Sequence, residues 1–165
     1  MGIRKIVSGG QTGVDRGALN AAIAMGIEHG GWCPKGRCAE DGPIDPRYQL
    51  RELDSPDYAA RTEQNVLDSE GTLILYREKL QGGTLLTHRL AKRHGKPLCR
   101  VRLDRPLQLE RIVQWIYQHE IQVLNIAGPR GSANPGIEEQ ACQAVKALLS
   151  HPGRLTLSEV DPHGT

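Results

Sequence analysis

The chain has 165 residues, which is enough for one domain of ordinary size and too few for two. Its 21 basic and 19 acidic residues leave a formal net charge of +2, so it lacks the basic excess of a dedicated nucleic-acid binder. The chain contains no phenylalanine and no apolar run near the roughly 18 residues that a membrane span needs, so we expect a cytoplasmic protein with an aliphatic core and no membrane partner.

Short apolar runs alternate with amphipathic segments along the chain. In the first half the pattern predicts a strand over residues 3–7, a helix over 15–25, a short strand over 30–32, a loop over 33–57 with a strand at 48–53 as one option, and a helix over 58–69. In the second half it predicts strands over residues 71–76, 97–103 and 121–127, and helices over 82–94, over about a dozen residues after Pro106, and over 136–149.

Strands separated by helices of this length are typical of βαβ units. We therefore predict the α/β fold class, with a mainly parallel sheet and helices on both faces, in a single domain over residues 3–150. Residues 151–165 are predicted to form a tail with one last strand at 154–157 that is disordered afterwards.

Loop 1, residues 8–15, follows the first predicted strand and has the composition of a phosphate-binding loop. Its glycines allow positive φ and close approach to the backbone, and the helix that follows offers N–H groups to an anion. Loop 1 matches neither the dinucleotide fingerprint nor a Walker A loop, and a Gly-rich turn without a ligand is the alternative. The candidate ligand-binding residues of loop 1 are Gly9, Gly10, Gln11, Thr12, Gly13 and Asp15.

Two further loops repeat the pattern of glycine beside a hydroxyl group after a predicted strand. The candidates in loop 2, residues 80–84, are Gly82, Gly83 and Thr84, and those in loop 3, residues 125–132, are Gly128, Pro129, Arg130 and Ser132. Taken singly, each loop is also explained as a helix cap or a surface turn. Because parallel strands end at one edge of the sheet, we expect the three loops to converge on one anionic, phosphorylated ligand.

Two other polar segments are candidates for the same site. Residues 35–42 carry Lys35 among mixed charges and are predicted to form a cationic wall, a lid or simply a solvated face. The run over residues 61–65 places Arg61 on a helix, directed either at the pocket or at solvent. No histidine or cysteine lies in a catalytic or metal-binding motif, so no catalytic residue and no metal ligand is predicted.

The chain carries, in order, SGGQTGVDRGALNAAI, GGWCPKGRCAEDGPIDPRYQL, YAARTEQNVLDSEGTLIL, GGTLLT and LNIAGPRGSANPGI. Together these blocks, from about residue 3 to 137, resemble the bacterial molybdenum carrier family, which is similar to the molybdenum cofactor carrier proteins. The wider group contains Rossmann-like nucleotide-binding proteins, including lysine-decarboxylase-like phosphoribohydrolases. The resemblance implies a Rossmann-like fold, a homodimer or homotetramer, and binding of molybdenum cofactor (molybdopterin) or another phosphorylated nucleotide-like ligand.

The chain departs from the phosphoribohydrolase motif Gly-Gly-x-Gly-Thr-x-x-Glu at its last position. If Gly83-Thr84 aligns with the Gly-Thr of that motif, the glutamate position falls on Thr87. A threonine cannot supply the carboxylate that glycosidic cleavage needs. This departure favours a non-catalytic binder or carrier over that hydrolase. The resemblance makes molybdenum cofactor the expected ligand and molybdoenzymes the candidate recipients.

Two other functions stay open on the sequence alone. One is a nucleotide-processing hydrolase, in which Asp15 and Glu63 are the first carboxylates to consider. The other is a nucleotide-sensing regulatory module that acts through a protein partner.

Overall fold

The computed structural model describes residues 2–151 and forms one α/β domain. Its strands are β1 (Lys5–Val7), β2 (Glu28–Gly30), β3 (Trp32–Cys33), β4 (Cys38–Ala39), β5 (Gly42–Pro43), β6 (Arg51–Glu52), β7 (Gly71–Tyr76), β8 (Leu98–Arg102) and β9 (Val123–Ala127). Its helices are α1 (Val14–Ala24), α2 (Tyr58–Leu67), α3 (Gly82–Arg93), α4 (Leu109–Gln118) and α5 (Ile137–Ser150).

A five-stranded parallel sheet in the order β2-β1-β9-β7-β8 forms the centre of the domain. This sheet confirms the predicted α/β class. The register pairs Val7 with Asn125 and Thr72 with Asn125, so β1 and β7 flank β9. The loops that follow these three strands therefore meet at one edge of the sheet.

The helices form two groups that bury separate apolar clusters. Side chains of α1, α4 and α5 share one cluster with Leu73 and Leu75 of β7. Val66 of α2 and Leu90 of α3 belong to a second cluster. No helix within residues 2–151 has the length and apolar character needed to cross a membrane.

The segment predicted as one long loop has structure of its own. The short strand expected over residues 30–32 is divided, because β2 ends at Gly30 and β3 pairs with β6 outside the main sheet. The β4–β5 hairpin follows, and Tyr48 and Leu50 lie in a third apolar cluster. The predicted strand at 154–157 lies outside the described residues, and the domain limits of 3–150 and 151–165 stay predictions.

The contact between α1 and α5 depends on Gly17. A Cβ at this position would lie 2.3 Å from the carbonyl oxygen of Glu138 and 3.1 Å from Cβ of Ala141. We expect Gly17→Ala to lower the free energy of unfolding by about 1–3 kcal/mol, because the backbones must move apart. Urea denaturation measures this loss.

The matched control is the same substitution at Gly83 in α3. A Cβ at Gly83 would meet no protein atom within 4 Å, and the φ angle of Gly83 lies outside the left-handed region. Gly83→Ala is therefore expected to leave stability unchanged or to raise it by at most about 1 kcal/mol. An equal loss in both variants would contradict the packing explanation for Gly17.

Candidate functional site

A cavity of about 760 Å³ lies at the carboxyl ends of β1, β7 and β9. This volume is within the range of small-molecule binding sites. The predicted site residues that line the cavity are Gly9, Gln11, Asp15, Arg61, Gly82, Gly83, Thr84, Gly128, Pro129 and Arg130. The structure thus brings the three loops together around one space, and the role of these residues in ligand binding stays a prediction.

The other predicted site residues do not line the cavity; they are Gly10, Thr12, Gly13, Lys35 and Ser132. The Lys35 ammonium group lies 3.4 Å from a carboxylate oxygen of Asp54, and its side chain is largely exposed. Gly10 serves packing, because a Cβ there would lie 2.5 Å from a methyl group of Leu50. Lys35 therefore does not form the cationic wall that was one expectation for this segment.

A buried ion pair between Asp15 and Arg61 lies at the inner wall of the cavity. The Arg61 Nη1 atom donates to Asp15 Oδ2 at 2.9 Å, and both side chains are about nine-tenths buried. Burial raises the pKa of Asp15, whereas the positive charge of Arg61 and the Gln11 N–H group act in the opposite direction. The guanidinium lies against Gly9, where a Cβ would be only 1.6 Å from Nη1.

One face of α2 lines the cavity. Tyr58, Arg61, Thr62 and Asn65 are spaced by three and four residues, so they share one side of the helix. Asn65 is fixed by two hydrogen bonds, because it accepts from the Trp32 N–H group at 2.7 Å and donates to the Trp32 carbonyl at 3.1 Å. Within the run over residues 61–65, Arg61, Thr62 and Asn65 are therefore directed at the pocket, which was one of the two alternatives, whereas Glu63 and Gln64 do not line it.

Loop 1 has fewer free donors than its sequence indicates. The Gln11 N–H group donates to Asp15 Oδ2 at 3.2 Å, and the Thr12 N–H group donates to the Gln11 side chain at 3.0 Å. The first N–H group of α1, on Val14, donates to the Pro129 carbonyl at 3.2 Å. The expectation that this helix start presents unpaired N–H groups is wrong at Val14, because the Pro129 carbonyl of loop 3 accepts its hydrogen bond.

Loop 3 packs directly on loop 1. A Cβ at Gly13 would lie 2.3 Å from the Pro129 carbonyl oxygen, so this glycine is explained by contact within the protein. Thr12 Oγ1 accepts a hydrogen bond from the Gly131 N–H group at 3.1 Å. Ser132 is turned towards Glu40 in the β4–β5 hairpin, which accepts from its hydroxyl at 2.7 Å.

Loop 2, in contrast, presents an open helix start to the cavity. Helix α3 begins at Gly82, and no protein side chain caps it. The first N–H groups of a helix have no acceptor within the helix. A Cβ at Gly82 or Gly83 would meet no protein atom within 4 Å, so the space above both residues is free. Among the loops, loop 2 thus offers the most accessible N–H groups for an anion.

The side chains around the cavity are more basic than acidic. The cations among the lining residues are Arg61, Arg77, Lys79 and Arg130, and the carboxylates are Asp15 and Glu78. Arg77 is held in place by Gln140, whose side-chain oxygen accepts from Nε at 3.1 Å and from Nη2 at 2.9 Å. This charge balance favours an anionic ligand.

Residues 6–149 match the family model described as "cpYpsA: Circularly permutated YpsA SLOG family". The chain belongs to this family. A search of curated proteins found no match.

One solved structure is similar to this member of the circularly permutated YpsA SLOG family over most of its length. It is a crystal structure from Syntrophus aciditrophicus SB, named "Putative molybdenum carrier protein", with 47% sequence identity and a TM-score of 0.85. The alignment covers 90% of this chain and 96% of the other. The resemblance to the molybdenum carrier family and the Rossmann-like fold are thereby confirmed.

Several cavity residues of this SLOG protein were not predicted from its sequence. They are Tyr58, Arg77, Glu78, Lys79 and Asn125. Residues 77–79 directly follow β7, so the rule that ligands bind at the carboxyl ends of parallel strands was the available signal for them. Asn125 lies within β9. Tyr58 had no such signal, because its position depends on how α2 packs across loop 1.

Removing Arg61 is expected to leave the Asp15 carboxylate buried without a cation. We expect Arg61→Ala to lower the free energy of unfolding by about 3–5 kcal/mol near pH 7.5. Without Arg61, burial raises the pKa of Asp15 in the folded state further above its unfolded value of about 4. The stability contribution of protonated Asp15 is then fully present below pH 4 and is lost as pH rises through the folded-state pKa.

Urea denaturation between pH 4.5 and 8 measures this pH dependence. The control is the double variant Asp15→Asn/Arg61→Ala, in which the additional pH dependence is expected to disappear. A loss of stability in Arg61→Ala that is equal at every pH, and unchanged by Asp15→Asn, would contradict the assigned ion pair.

Proposed function

We propose that the cavity binds and carries a phosphorylated anionic cofactor without transforming it, and that this cofactor is molybdenum cofactor. The observation that supports the proposal most strongly is the open start of α3 at Gly82 and Gly83. At Gly83 neither local packing nor backbone conformation requires a glycine, whereas at Gly82 a φ of +50° already favours one. A ligand that approaches the helix start closely is a sufficient reason for this residue type.

The cavity fits the chemistry of molybdenum cofactor, which is a pterin with a phosphate group and an oxo-metal head. We assign the phosphate to the N–H groups at the start of α3, where the helix dipole also favours negative charge. The basic lining residues Arg77 and Lys79 are then left for the remaining anionic group. Among residues 2–151, no group of three or more His, Cys, Asp or Glu side chains could hold a metal ion. We therefore propose that the protein recognises the cofactor through its phosphate and pterin groups.

The position of Thr87 supports a carrier function rather than hydrolytic cleavage. Thr87 lines the cavity, and its hydroxyl donates to the Gly83 carbonyl at 2.9 Å within α3. If Gly83-Thr84 aligns with the Gly-Thr of the related hydrolase motif, the residue at its glutamate position is not acidic, and its hydroxyl is already hydrogen-bonded within α3. The similar structure from Syntrophus aciditrophicus is described as a molybdenum carrier protein, which supports the same function for this chain.

A nucleotide-processing hydrolase is the second candidate, and one observation favours it. Asp15 is a buried carboxylate with a raised pKa in the cavity wall, which is a common feature of catalytic sites. Glu63, the other carboxylate considered from the sequence, does not line the cavity and lies 3.6 Å from His94. Assays for release of a base or of phosphate from nucleoside monophosphates, with Asp15→Asn as control, distinguish this candidate.

The carrier proposal includes the setting in which the protein works. We place it in the cytoplasm as a homodimer or homotetramer that delivers its ligand to molybdoenzymes. Mass spectrometry of the ligand that co-purifies with the protein, together with sedimentation analysis, tests both the cargo and the assembly.

Filling the open start of α3 is expected to abolish ligand binding without unfolding the protein. Gly83→Leu adds a branched side chain at a residue of the cavity lining, where the added Cβ would have no protein atom within 4 Å. Molybdopterin at about 100 times its dissociation constant is expected to stabilise the wild-type protein by about 2.7 kcal/mol, and the variant by almost nothing. Thermal unfolding with and without molybdopterin measures the difference.

The control is Arg89→Leu, which introduces leucine at an exposed position of the same helix that does not line the cavity. This variant is expected to keep the full ligand effect. Equal stabilisation of Gly83→Leu and wild type would remove the basis for placing the ligand at loop 2.

A further inference from the structure

The Glu40 carboxylate, at the tip of the β4–β5 hairpin, occupies a set of anion-binding donors beside the cavity. The Ser132 hydroxyl donates to one of its oxygens at 2.7 Å, and the Ser132 N–H group donates to the other at 3.1 Å. The Thr12 hydroxyl also donates to it. Arg130 Nε lies 3.7 Å from the same carboxylate. Two hydroxyls, one backbone N–H group and one guanidinium thus converge on a single anionic group.

These donors have the composition of an oxyanion site. A carboxylate held by hydroxyl, N–H and guanidinium groups presents two oxygens in the way that phosphate or molybdate presents two of its four. The hydrogen bonds from Thr12 and Ser132 keep the pKa of Glu40 below its usual range, so the carboxylate is charged at neutral pH. Glu40 is therefore a negative charge inside a site that suits another negative charge.

The surroundings of Glu40 explain how it is held there. Its N–H group donates to the Gln11 side chain at 2.9 Å, and the next residue, Asp41, forms an ion pair of 2.5 Å with Arg16. The hairpin tip is thus attached to loop 1 through the Glu40 N–H group and to α1 through the Asp41 side chain, and neither contact uses the Glu40 carboxylate. Rotation of the Glu40 side chain alone would release Thr12 and Ser132 while the hairpin stays in place.

We propose that Thr12, Arg130 and Ser132 form a second binding site for a tetrahedral oxyanion, and that Glu40 is its built-in competitor. The site lies where Gln11, Pro129 and Arg130 line the main cavity, so an oxyanion there is next to a ligand bound at loop 2. The inference rests on the proposed function for the identity of that neighbouring ligand. The competition itself depends only on the contacts of Glu40.

Isothermal titration with inorganic phosphate and, in a separate arm, with molybdate at pH 7.5 tests the competition. Glu40→Ala is expected to bind at least one of the two oxyanions about tenfold more tightly than the wild-type protein, because the donors lose their internal acceptor. The arm with the larger gain identifies which oxyanion the site prefers. No gain in either arm, or a loss of affinity, would overturn the proposal.

Asp54→Ala is the matched control, because it removes one exposed carboxylate that pairs with Lys35 and contacts none of the donors of the second site. It is expected to change the affinity less than twofold, and a gain equal to that of Glu40→Ala would show a general charge effect and overturn the proposal. The gain is expected to disappear in Glu40→Ala/Ser132→Ala; its persistence there would also overturn it. If Glu40→Ala does not fold, Glu40→Gln serves with the same criteria.

Gly83→Leu separates this inference from the proposed function. A gain in Glu40→Ala that persists in Glu40→Ala/Gly83→Leu supports the second site even if molybdopterin does not bind at loop 2. An unchanged affinity in Glu40→Ala, with molybdopterin binding that Gly83→Leu abolishes, rejects the second site and leaves the carrier function intact.

Discussion

The ion pair between Asp15 and Arg61 is the interaction on which the arrangement of the site depends. Two buried charges are tolerated because each compensates the other at 2.9 Å. The pair joins the start of α1 to the middle of α2 and requires a glycine at position 9, where the guanidinium lies. By fixing α2 across loop 1, it also directs Tyr58 and Asn65 towards the cavity.

With α2 fixed in this way, the three loops have different roles. Loop 1 and loop 3 provide hydrogen-bond partners for each other, as in the bond from the Val14 N–H group to the Pro129 carbonyl. Loop 2 has no such partner at its glycines, and it faces the cavity directly. All three loops are rich in glycine, but Gly13 of loop 1 and Gly128 of loop 3 allow close packing, whereas Gly83 of loop 2 borders open space and Gly82 adopts a φ of +50°.

The sequence therefore predicts where the strands and loops lie, but not which groups the loops contact. Strands such as β7 were predictable, because a continuous apolar run is typical of a buried parallel strand. The meeting of the loops followed from the parallel order. The partners of individual donors did not, because they come from distant positions: Glu40 and Ser132 are 92 residues apart in the chain. The 33–57 segment was difficult for the same reason, since Arg37 organises it through the carbonyls of Tyr48 and Leu50 rather than through periodic apolar residues.

We propose that an anionic ligand binds at the start of α3 and not at the start of α1. The decisive measurement is of amide chemical shifts during a titration with molybdopterin. We expect large, saturable shifts for the N–H groups of Gly82 and Gly83, and little change for Val14, whose N–H group already donates to the Pro129 carbonyl. Saturable shifts at Val14 with none at Gly82 and Gly83 would contradict it.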